Sequence, residues 1–134
     1  EFDVPYPPSA NTIWRQGNGK TWLSPKYKAF ITEVKATLLS LVEEERIGSQ
    51  GEFSVTIELF PSDRRKRDID NTVKPLFDAI TKSKQVWEDD SQVVALTVVK
   101  GSPAKTPFAH VAIARLNETR LIPSPTDYGI EKKC

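Results

Sequence analysis

Hydrophobic and polar residues alternate over several short stretches of this chain. Phe2, Val4 and Tyr6 alternate with other residues, which predicts a short edge strand that ends at the following prolines. Gly17-Asn18-Gly19 is a turn signal. The residues around this turn are expected to form a small hairpin or an ordered loop.

A long amphipathic helix is predicted after the turn. Ser24-Pro25 is a typical helix start, with Ser as the N-cap and Pro at the first helical position. Apolar residues then recur with a period of about 3.6, at positions 27, 30, 31, 34, 38, 41 and 42. Gly48 is expected to end this helix.

A shorter helix is predicted in the middle of the chain. Its apolar residues have helical spacing, at positions 73, 76, 77 and 80. A helix interior needs the N–H that proline lacks, so Pro75 is expected in the first turn. The helix cap is therefore expected at Asn71 or Thr72.

Three further strands complete the predicted fold. Residues 53–60 alternate as a half-buried strand does, residues 93–99 are apolar on both faces and predict a buried strand, and alternation resumes over 109–113. The order of elements is strand, long helix, strand, short helix, strand, strand. It predicts a small α/β (α+β) fold, in which a mixed sheet of about four strands packs against one long and one short helix.

The length of 134 residues fits one domain, since domains average about 150 residues. We expect this domain at 1–116 and a loosely held C-terminal tail at 117–134. No apolar run approaches the ~20 residues of a membrane span, and no signal peptide is evident at the N-terminus. The single cysteine, Cys134, excludes a disulfide framework and a Cys-based zinc site, so a cytoplasmic protein is expected.

Charge is concentrated in one part of the chain, although the net charge is only +1. Residues 61–90 hold seven Lys or Arg and seven Asp or Glu, whereas residues 91–116 hold three charges and are expected in the core. The candidate chemistry therefore lies in 61–90.

An acidic cluster is predicted within this charged stretch. Asp68 and Asp70 are two residues apart, so an extended chain would point both carboxylates to the same side. The short helix returns the chain to Asp89 and Asp90, immediately before the next strand. If that strand lies beside the strand at 53–60, these carboxylates should meet at one rim of the sheet.

Carboxylates gathered in this way need a cation or a proton. Two of them about 4 Å apart repel by roughly 4 kcal/mol at an effective dielectric constant of 20. Oxygen ligands without His or Cys favour Mg²⁺ or Mn²⁺. A Mg²⁺ ion held by carboxylates is suited to phosphoryl transfer, where it can activate water and offset charge on phosphorus.

Each motif also has a simpler interpretation. Asp70 or Asn71 can act only as a helix cap, and residues 89–90 can form only a solvated turn. Lys74 and Asp78 are four residues apart and can form only a surface ion pair. The conjunction of all these motifs favours a functional site.

The conjunction resembles the signature of RusA-type Holliday junction resolvases. The matching segments are Arg67-Asp68-Ile69-Asp70-Asn71-x-x-Lys74, Phe77-Asp78-Ala79-Ile80 and Trp87-x-Asp89-Asp90-Ser91-Gln92-Val93, together with Pro7-Pro8-Ser9-x-Asn11 and Thr21-x-Leu23-Ser24. The resemblance extends from about Val4 to Leu116. It implies a bacterial or phage enzyme that works as a homodimer and cuts four-way DNA junctions with Mg²⁺.

The resemblance also implies roles for individual residues. Asp68, Asp70 and Asp90 would be the essential metal ligands, and Lys74 would be catalytic. Arg67 and Asn71 match motif positions whose roles are less defined. Two departures from the pattern are Ser83-Lys84-Gln85, where many relatives have a glycine, and the additional carboxylate of Glu88.

We therefore expect a Mg²⁺-dependent, structure-selective endonuclease, with Mn²⁺ able to substitute. Basic residues would hold phosphates without reading sequence. The candidates for DNA contact are Arg64, Arg65, Lys66, Arg67 and Asn71, with Arg15, Lys20, Lys26 and Lys28 as additional cations. The three tryptophans at 14, 22 and 87 could stack on bases or pack within the fold.

Two other functions remain open at this point. The protein could be a junction-binding relative that no longer cuts, or a metal-dependent enzyme that acts on small phosphate compounds. The complete set of acidic residues argues against the first, and the adjacent basic run argues against the second.

Overall fold

The computed structural model describes residues 1–41 and 50–116. Six strands and two α-helices lie in these ranges, and neither helix is long and apolar enough to cross a membrane. The strands are β1 (Phe2–Pro5), β2 (Trp14–Gly17), β3 (Lys20–Leu23), β4 (Glu52–Phe60), β5 (Val93–Lys100) and β6 (Phe108–Leu116), and the helices are α1 (Pro25–Leu39) and α2 (Asp70–Ser83). The predicted stop at Gly48 and the predicted tail at 117–134 lie outside the described residues.

The sheet confirms the predicted mixed α+β architecture. Four strands are ordered β1-β6-β4-β5, with β4 and β5 parallel and the other two pairs antiparallel. β1 is an edge strand, as predicted. β2 and β3 form a separate hairpin, whose turn residues Asn18 and Gly19 both have positive φ, 51° and 73°. This backbone is typical of a type I′ turn, which matches the twist of the two strands.

α1 starts as its sequence predicts. The Ser24 side chain accepts a hydrogen bond from the N–H of Tyr27 (3.2 Å), and Pro25 is the first helical residue. The buried face carries the predicted period, at Tyr27, Phe30, Val34 and Leu38. The helix ends at Leu39 and its C-cap is Ser40, although the apolar period of the sequence continues to Leu41.

α2 begins earlier than predicted. Its N-cap is Ile69, which makes no side-chain capping bond, so the prediction of a cap at Asn71 or Thr72 is wrong. Pro75 consequently lies inside the helix, beyond the first turn. Its ring is fully buried in the core. This burial offsets the backbone hydrogen bond that proline cannot make.

Both helices pack on one face of the sheet. The alternate residues Phe53, Val55, Ile57 and Leu59 of β4 are buried against them, as the alternation predicts. Trp87 belongs to this core: its ring lies 5.5–5.9 Å from the Phe77 and Phe53 rings, and its N–H donates to the Thr81 hydroxyl. The fold thus leaves Trp14 and Trp22 as its exposed indoles.

The expectation that β5 is a buried strand is wrong. β5 forms an edge of the sheet, and Val94, Leu96 and Val99 are 42–44% exposed. An apolar pattern on both faces does not show which strands will lie beside it. The region 91–116 is therefore core along β6 and surface along much of β5.

Candidate active site

An open cleft of about 970 Å³ lies beside the start of α2. Its lining includes residues 65–68 and Asn71, residues 5–9 of the N-terminal segment, and Lys26. The cleft thus places the sequence-predicted basic run, Asp68 and Asn71 against the Pro-rich N-terminal segment. Lys26 is the predicted additional cation that the fold brings to the same cleft.

Residues 63–67, here called the basic loop, are organised around Asp63. The Asp63 carboxylate accepts the backbone N–H of Arg65 (2.9 Å) and the Nε–H of the same side chain (3.0 Å). It also pairs with Arg67 at 2.9 Å, and Arg67 donates to the Asp63 and Arg65 carbonyls. The Arg65 backbone bond, followed by the Arg67 side chain, lowers the pKa of Asp63 to about 2.

This arrangement divides the four cations of the basic loop. Arg67, only 25% exposed, points back onto the loop that carries it. Arg64 and Lys66 are exposed and make no hydrogen bond or ion pair with the described residues. They are therefore the cations that remain available to phosphates, whereas Arg67 holds the loop together.

Asp63 is the site residue that sequence reasoning missed. It was counted only as one of the acidic residues of the charged stretch. Its spacing from Arg65 and Arg67, two and four residues, was a usable signal, because an Asp side chain commonly accepts the backbone N–H two residues later. The consecutive basic residues at 64–67 are the more conspicuous feature of this segment, so the spacing of Asp63 from Arg65 and Arg67 was overlooked.

The candidate ligands Asp68 and Asp70 are not joined by extended backbone. Ile69 between them has helical angles, φ −69° and ψ −27°, so the same-side argument from an extended chain is wrong. Asp68 reaches the cleft wall, and Asp70 is the first residue of α2. Within the ranges 1–41 and 50–116, no three Asp, Glu, His or Cys side chains are grouped closely enough to hold a metal ion.

The aspartates nevertheless fall into two distinct groups. Seven lie in the described residues. Four are engaged: Asp3 with His110, Asp63 with Arg65 and Arg67, Asp78 with Lys74, and Asp89 with Ser91. The carboxylates of the other three, Asp68, Asp70 and Asp90, make no hydrogen bond or ion pair with the described residues.

Lys74 links the two acidic segments. Its ammonium pairs with Asp78, one turn further along α2, at 3.1 Å. Hydrogen bonding to Asp78, with smaller contributions from Asp90 and Asp89, raises the pKa of Lys74. Lys74 therefore stays charged, and the negative charge of Asp90 contributes to its raised pKa. The ion pair between Lys74 and Asp78 is confirmed, and Lys74 also interacts electrostatically with Asp90.

The two aspartates before β5 differ in role. Asp89 caps the short 3₁₀ turn Asp90–Gln92 by accepting from Ser91, and the Gln92 side chain accepts both the Glu88 and the Asp89 N–H. Hydrogen bonds that the Asp89 carboxylate accepts, first from the Ser91 hydroxyl and then from the Ser91 and Asp90 N–H groups, lower the pKa of Asp89. Asp89 thus shapes the turn, which presents the half-buried Asp90.

The remaining candidate cations lie on other elements. Arg15 and Lys20 are exposed on the hairpin, Arg15 on β2 and Lys20 on β3. Lys28 is exposed on α1. Of these predicted cations, only Lys26 lines the cleft.

The donor chemistry of the three unengaged aspartates fits Mg²⁺. All three offer carboxylate oxygens, and two of them, Asp68 and Asp70, are exposed to solvent. Mg²⁺ commonly uses one or two carboxylates, with water and phosphate oxygens filling its other positions.

The comparison with known proteins identifies the family. The family model for Endodeoxyribonuclease RusA matches residues 5–114. This chain belongs to the RusA endodeoxyribonuclease family. The crossover junction endodeoxyribonuclease RusA of Escherichia coli K12 is 38% identical over 97 residues, which cover 72% of this chain and 78% of that protein. The protein of the same name from Enterobacteria phage 82 matches to the same extent.

A more divergent relative covers more of the chain. The RusA endodeoxyribonuclease of Escherichia coli O139:H28 is 33% identical over 115 residues, which cover 86% of this chain and 93% of that protein. The resemblance stated from the motifs is thus confirmed. The range 5–114 that matches the RusA family includes the cleft, the hairpin, α2 and every candidate site residue.

Proposed function

We propose that this protein is a crossover junction endodeoxyribonuclease that cuts four-way DNA junctions with Mg²⁺, which Mn²⁺ can replace. The observation that carries the proposal is that the carboxylates of Asp68, Asp70 and Asp90 make no hydrogen bond or ion pair with the described residues, while Asp68 lines a cleft together with part of the basic loop. The curated RusA relatives carry this activity in their names, and they come from bacteria and phages. We infer a bacterial or phage-encoded protein that acts in the cytoplasm.

In this proposal Asp68, Asp70 and Asp90 hold the metal through carboxylate oxygens. The metal, when bound, supplies Lewis acidity and a water of lowered pKa for phosphodiester hydrolysis. Lys74 is charged and interacts electrostatically with Asp90, so it can stabilise negative charge that develops on the phosphate or on the leaving oxygen. Asn71 lines the cleft and can hydrogen-bond a phosphate oxygen.

The basic residues would position the DNA. Arg64 and Lys66 are exposed and free of ion pairs within the described residues, so they can hold phosphates directly. Arg65 is 80% exposed and retains donors beyond its bond to Asp63. Phosphate contacts carry no sequence information, so these residues would support binding to a DNA shape.

We also propose that the protein is a homodimer. The sheet face opposite the helices bears small or apolar, half-buried or exposed side chains, and it continues to the apolar edge strand β5. These residues are Ser54, Thr56, Ala95, Thr97, Val99, Ala112 and Ala114. The uncharged part of this face lies beside an exposed edge strand and is suited to a second copy of the chain, whereas Glu58 and His110 lie further along the same face.

The proposal is tested by incubating the protein with a synthetic four-way junction and mapping the products on each strand. We expect paired cuts in the presence of Mg²⁺ and binding without cuts in EDTA. Binding without cleavage under all metal conditions would instead support a non-catalytic junction binder. Strong competition by mononucleotides would support an enzyme of small phosphate compounds.

The sharpest variant for this test is Asp70→Asn. It removes a metal ligand and a charge that repels phosphate, so cleavage should be lost while junction binding in EDTA is kept or strengthened. Glu33→Gln, an equal change of charge on the exposed face of α1, is the matched control and should cut normally. Wild-type cleavage by Asp70→Asn would refute the site assignment.

A further inference from the structure

The β2–β3 hairpin presents two chemically different faces. In antiparallel strands, directly paired residues share a face. Arg15 is paired with Trp22, and Gly17 with Lys20. One face therefore carries Trp22 together with both cations of the hairpin. The opposite face consists of Trp14 and Gln16 on β2 and their uncharged partners Thr21 and Leu23 on β3.

The Trp22 ring packs against the backbone of Gly17. A Cβ atom at Gly17 would lie 2.9 Å from the ring atom Cη2 and 3.5 Å from Cζ3 of Trp22. The ring thus lies directly against the glycine backbone, and 44% of the side chain remains exposed. An indole supported on one side and open to solvent on the other can accept a flat partner.

The hairpin is fixed to the cleft at its base. The N–H of Ser24 donates to the carbonyl of Ile13 (2.8 Å), which joins the chain entering the hairpin to the chain leaving it. Ile13 is buried in the core. Thr12 and Lys26, on either side of this junction, both line the cleft that contains Asp68. DNA that occupies the cleft therefore has the hairpin beside it.

We propose that the face formed by Arg15, Lys20 and Trp22 binds a nucleobase exposed at the branch point of the DNA substrate. Base pairs at a branch lose the stacking partner that a continuous duplex provides, so they present a bare aromatic face. The Trp22 indole stacks on that face, while Arg15 and Lys20 hold the adjoining phosphates. This assignment rests on the proposed function, and it adds a binding element that recognises branched DNA in preference to duplex.

The charge distribution selects this occupant over a protein partner. Two cations flank the exposed ring of Trp22, and no anionic residue lies on either strand of the hairpin. Phosphate and base together complement a cationic and aromatic face, whereas an apolar protein surface would leave Arg15 and Lys20 without partners.

The experiment compares Trp22→Ala with Trp14→Ala in the full protein. Trp14 is the matched control, because it is 57% exposed on the same hairpin but lies on the uncharged face. Binding to a four-way junction and to linear duplex is measured in EDTA. Loss of one base–aromatic stack should weaken junction binding by Trp22→Ala about 5- to 150-fold, with a smaller effect on duplex binding.

A spectroscopic readout reports the stack itself. The junction carries 2-aminopurine either at the branch point or in the middle of an arm. Wild type and Trp14→Ala should quench the branch-point probe, whereas Trp22→Ala should not, and the probe in the arm should respond equally to all three proteins. Trp22→Phe keeps an aromatic face and should restore most of the affinity and the quenching.

The outcomes separate this inference from the proposed function. Junction binding and cleavage by the wild type, with equal losses for Trp22→Ala and Trp14→Ala, would overturn the base-stacking site and leave the nuclease function in place. Dissociation of dimers by Trp22→Ala, with unchanged quenching, would assign the ring to a protein interface. Absence of any junction binding by the wild type would refute the proposed function itself.

Discussion

The three unengaged aspartates stand out because so many of their neighbours are engaged. Asp63, Asp78 and Asp89 each have a defined partner and a structural task. A carboxylate that makes no internal bond, next to several that do, is available for a ligand. At the scale of single residues, the presence or absence of a protein partner separates candidate site aspartates from structural aspartates more clearly than sequence spacing does.

Lys74 can be separated from its partner by paired variants. Lys74→Ala should slow cleavage by about 10²- to 10³-fold with little loss of binding, because a cation at a developing negative charge contributes on the order of 3–4 kcal/mol. Asp78→Asn removes only the partner. The pKa of Lys74 then falls toward its ordinary value of 10.5, which leaves the ammonium charged at neutral pH.

Asp78→Asn should therefore keep most of the cleavage rate, as measured in single-turnover assays. If Lys74 acts only as the surface partner of Asp78, both variants should instead show the same small effect.

For substitution of Asp63, the structure and simple electrostatics predict opposite changes in DNA affinity. Removing a carboxylate near phosphates should strengthen DNA binding on charge alone. Asp63→Ala also releases Arg65 and Arg67, so the basic loop loses its order. Ordering one residue costs about 1–2 kcal/mol, so we expect junction binding about 5- to 30-fold weaker.

The measurement for Asp63→Ala is junction affinity in EDTA across a range of salt concentrations. Asp63→Asn keeps an acceptor for the Arg65 N–H and should lie between wild type and Asp63→Ala. Glu33→Gln on α1 again controls for loss of one negative charge. Tighter binding by Asp63→Ala would show that the loop needs no internal support.

The sequence named candidate site residues but could not give their arrangement. The resemblance carried by the segments Arg67–Lys74 and Trp87–Val93 supplied the candidate ligands, which stay a prediction. It could not show that Arg67 bonds back to Asp63, since that geometry depends on the turn adopted by the basic loop. It also could not show that Ile69 is helical, because capping preference favoured a later start of α2.

At the scale of elements, local sequence patterns predicted which helices and strands form better than they predicted where those elements lie in the fold. The alternation of β4 and the start of α1 were predicted correctly because burial and capping act locally. The exposure of β5 was missed, since strand order is decided by contacts distant in sequence. Many relatives have a glycine where this chain has Ser83-Lys84-Gln85, and the structure shows a physical reason for a glycine there. Lys84 ends α2 with φ 59°, a conformation that glycine adopts more easily.

The edge strand β1 is attached to β6 by a titratable contact. His110 lies opposite Asp3, at 2.5 Å, and its other ring nitrogen is 3.0 Å from Glu1. Glu58 of β4 is paired with His110 on its other side. Hydrogen bonds to Glu1 and then Asp3 raise the pKa of His110 above 6.5, and the bond to His110 lowers the pKa of Glu1 below 4.5.

These directions define a pH window for the attachment of β1. The contribution of His110 is fully present below pH 6.5 and is lost as pH rises through its raised pKa. The contribution of Glu1 is present above pH 4.5 and is lost as pH falls through its lowered pKa. The contact should therefore stabilise the fold most between these two values.

His110→Gln should accordingly reduce the urea midpoint more at a pH within that window than at a pH well above it. The change keeps a side chain of similar polarity, so the comparison isolates the charge. An equal reduction at both pH values would show that His110 contributes only by packing.

The whole molecule presents the candidate cleft on one side and an uncovered sheet face on another. The described residues contain one copy each of Asp68, Asp70 and Asp90, and Asp68 lines the cleft. A four-way junction has approximate two-fold symmetry and needs two cuts on opposed strands. A single described domain offers one candidate site, so paired cleavage on one bound junction calls for two chains related by a two-fold axis.

Dimerisation would also change how the basic loops and hairpins act. Two loops and two Trp22 faces would meet one junction, and the second set would bind at a high effective concentration. Affinity for a four-way junction would then exceed affinity for duplex by more than either site alone provides. Substitution of an exposed apolar residue such as Val99 by Asp should disrupt the proposed interface without entering the cleft.

The last prediction uses a mixed dimer. A dimer with one wild-type chain and one Asp70→Asn chain keeps both DNA-binding surfaces but has one set of three carboxylates. It should nick one strand for each binding event and leave the junction joined, as measured on a supercoiled plasmid that extrudes a cruciform. Nicked circles should accumulate with the mixed dimer and linear molecules with the wild type. Linear products from the mixed dimer in a single binding event, or a monomer by sedimentation at micromolar concentration, would contradict the two-fold arrangement, because each site is expected to cut only the strand that it holds.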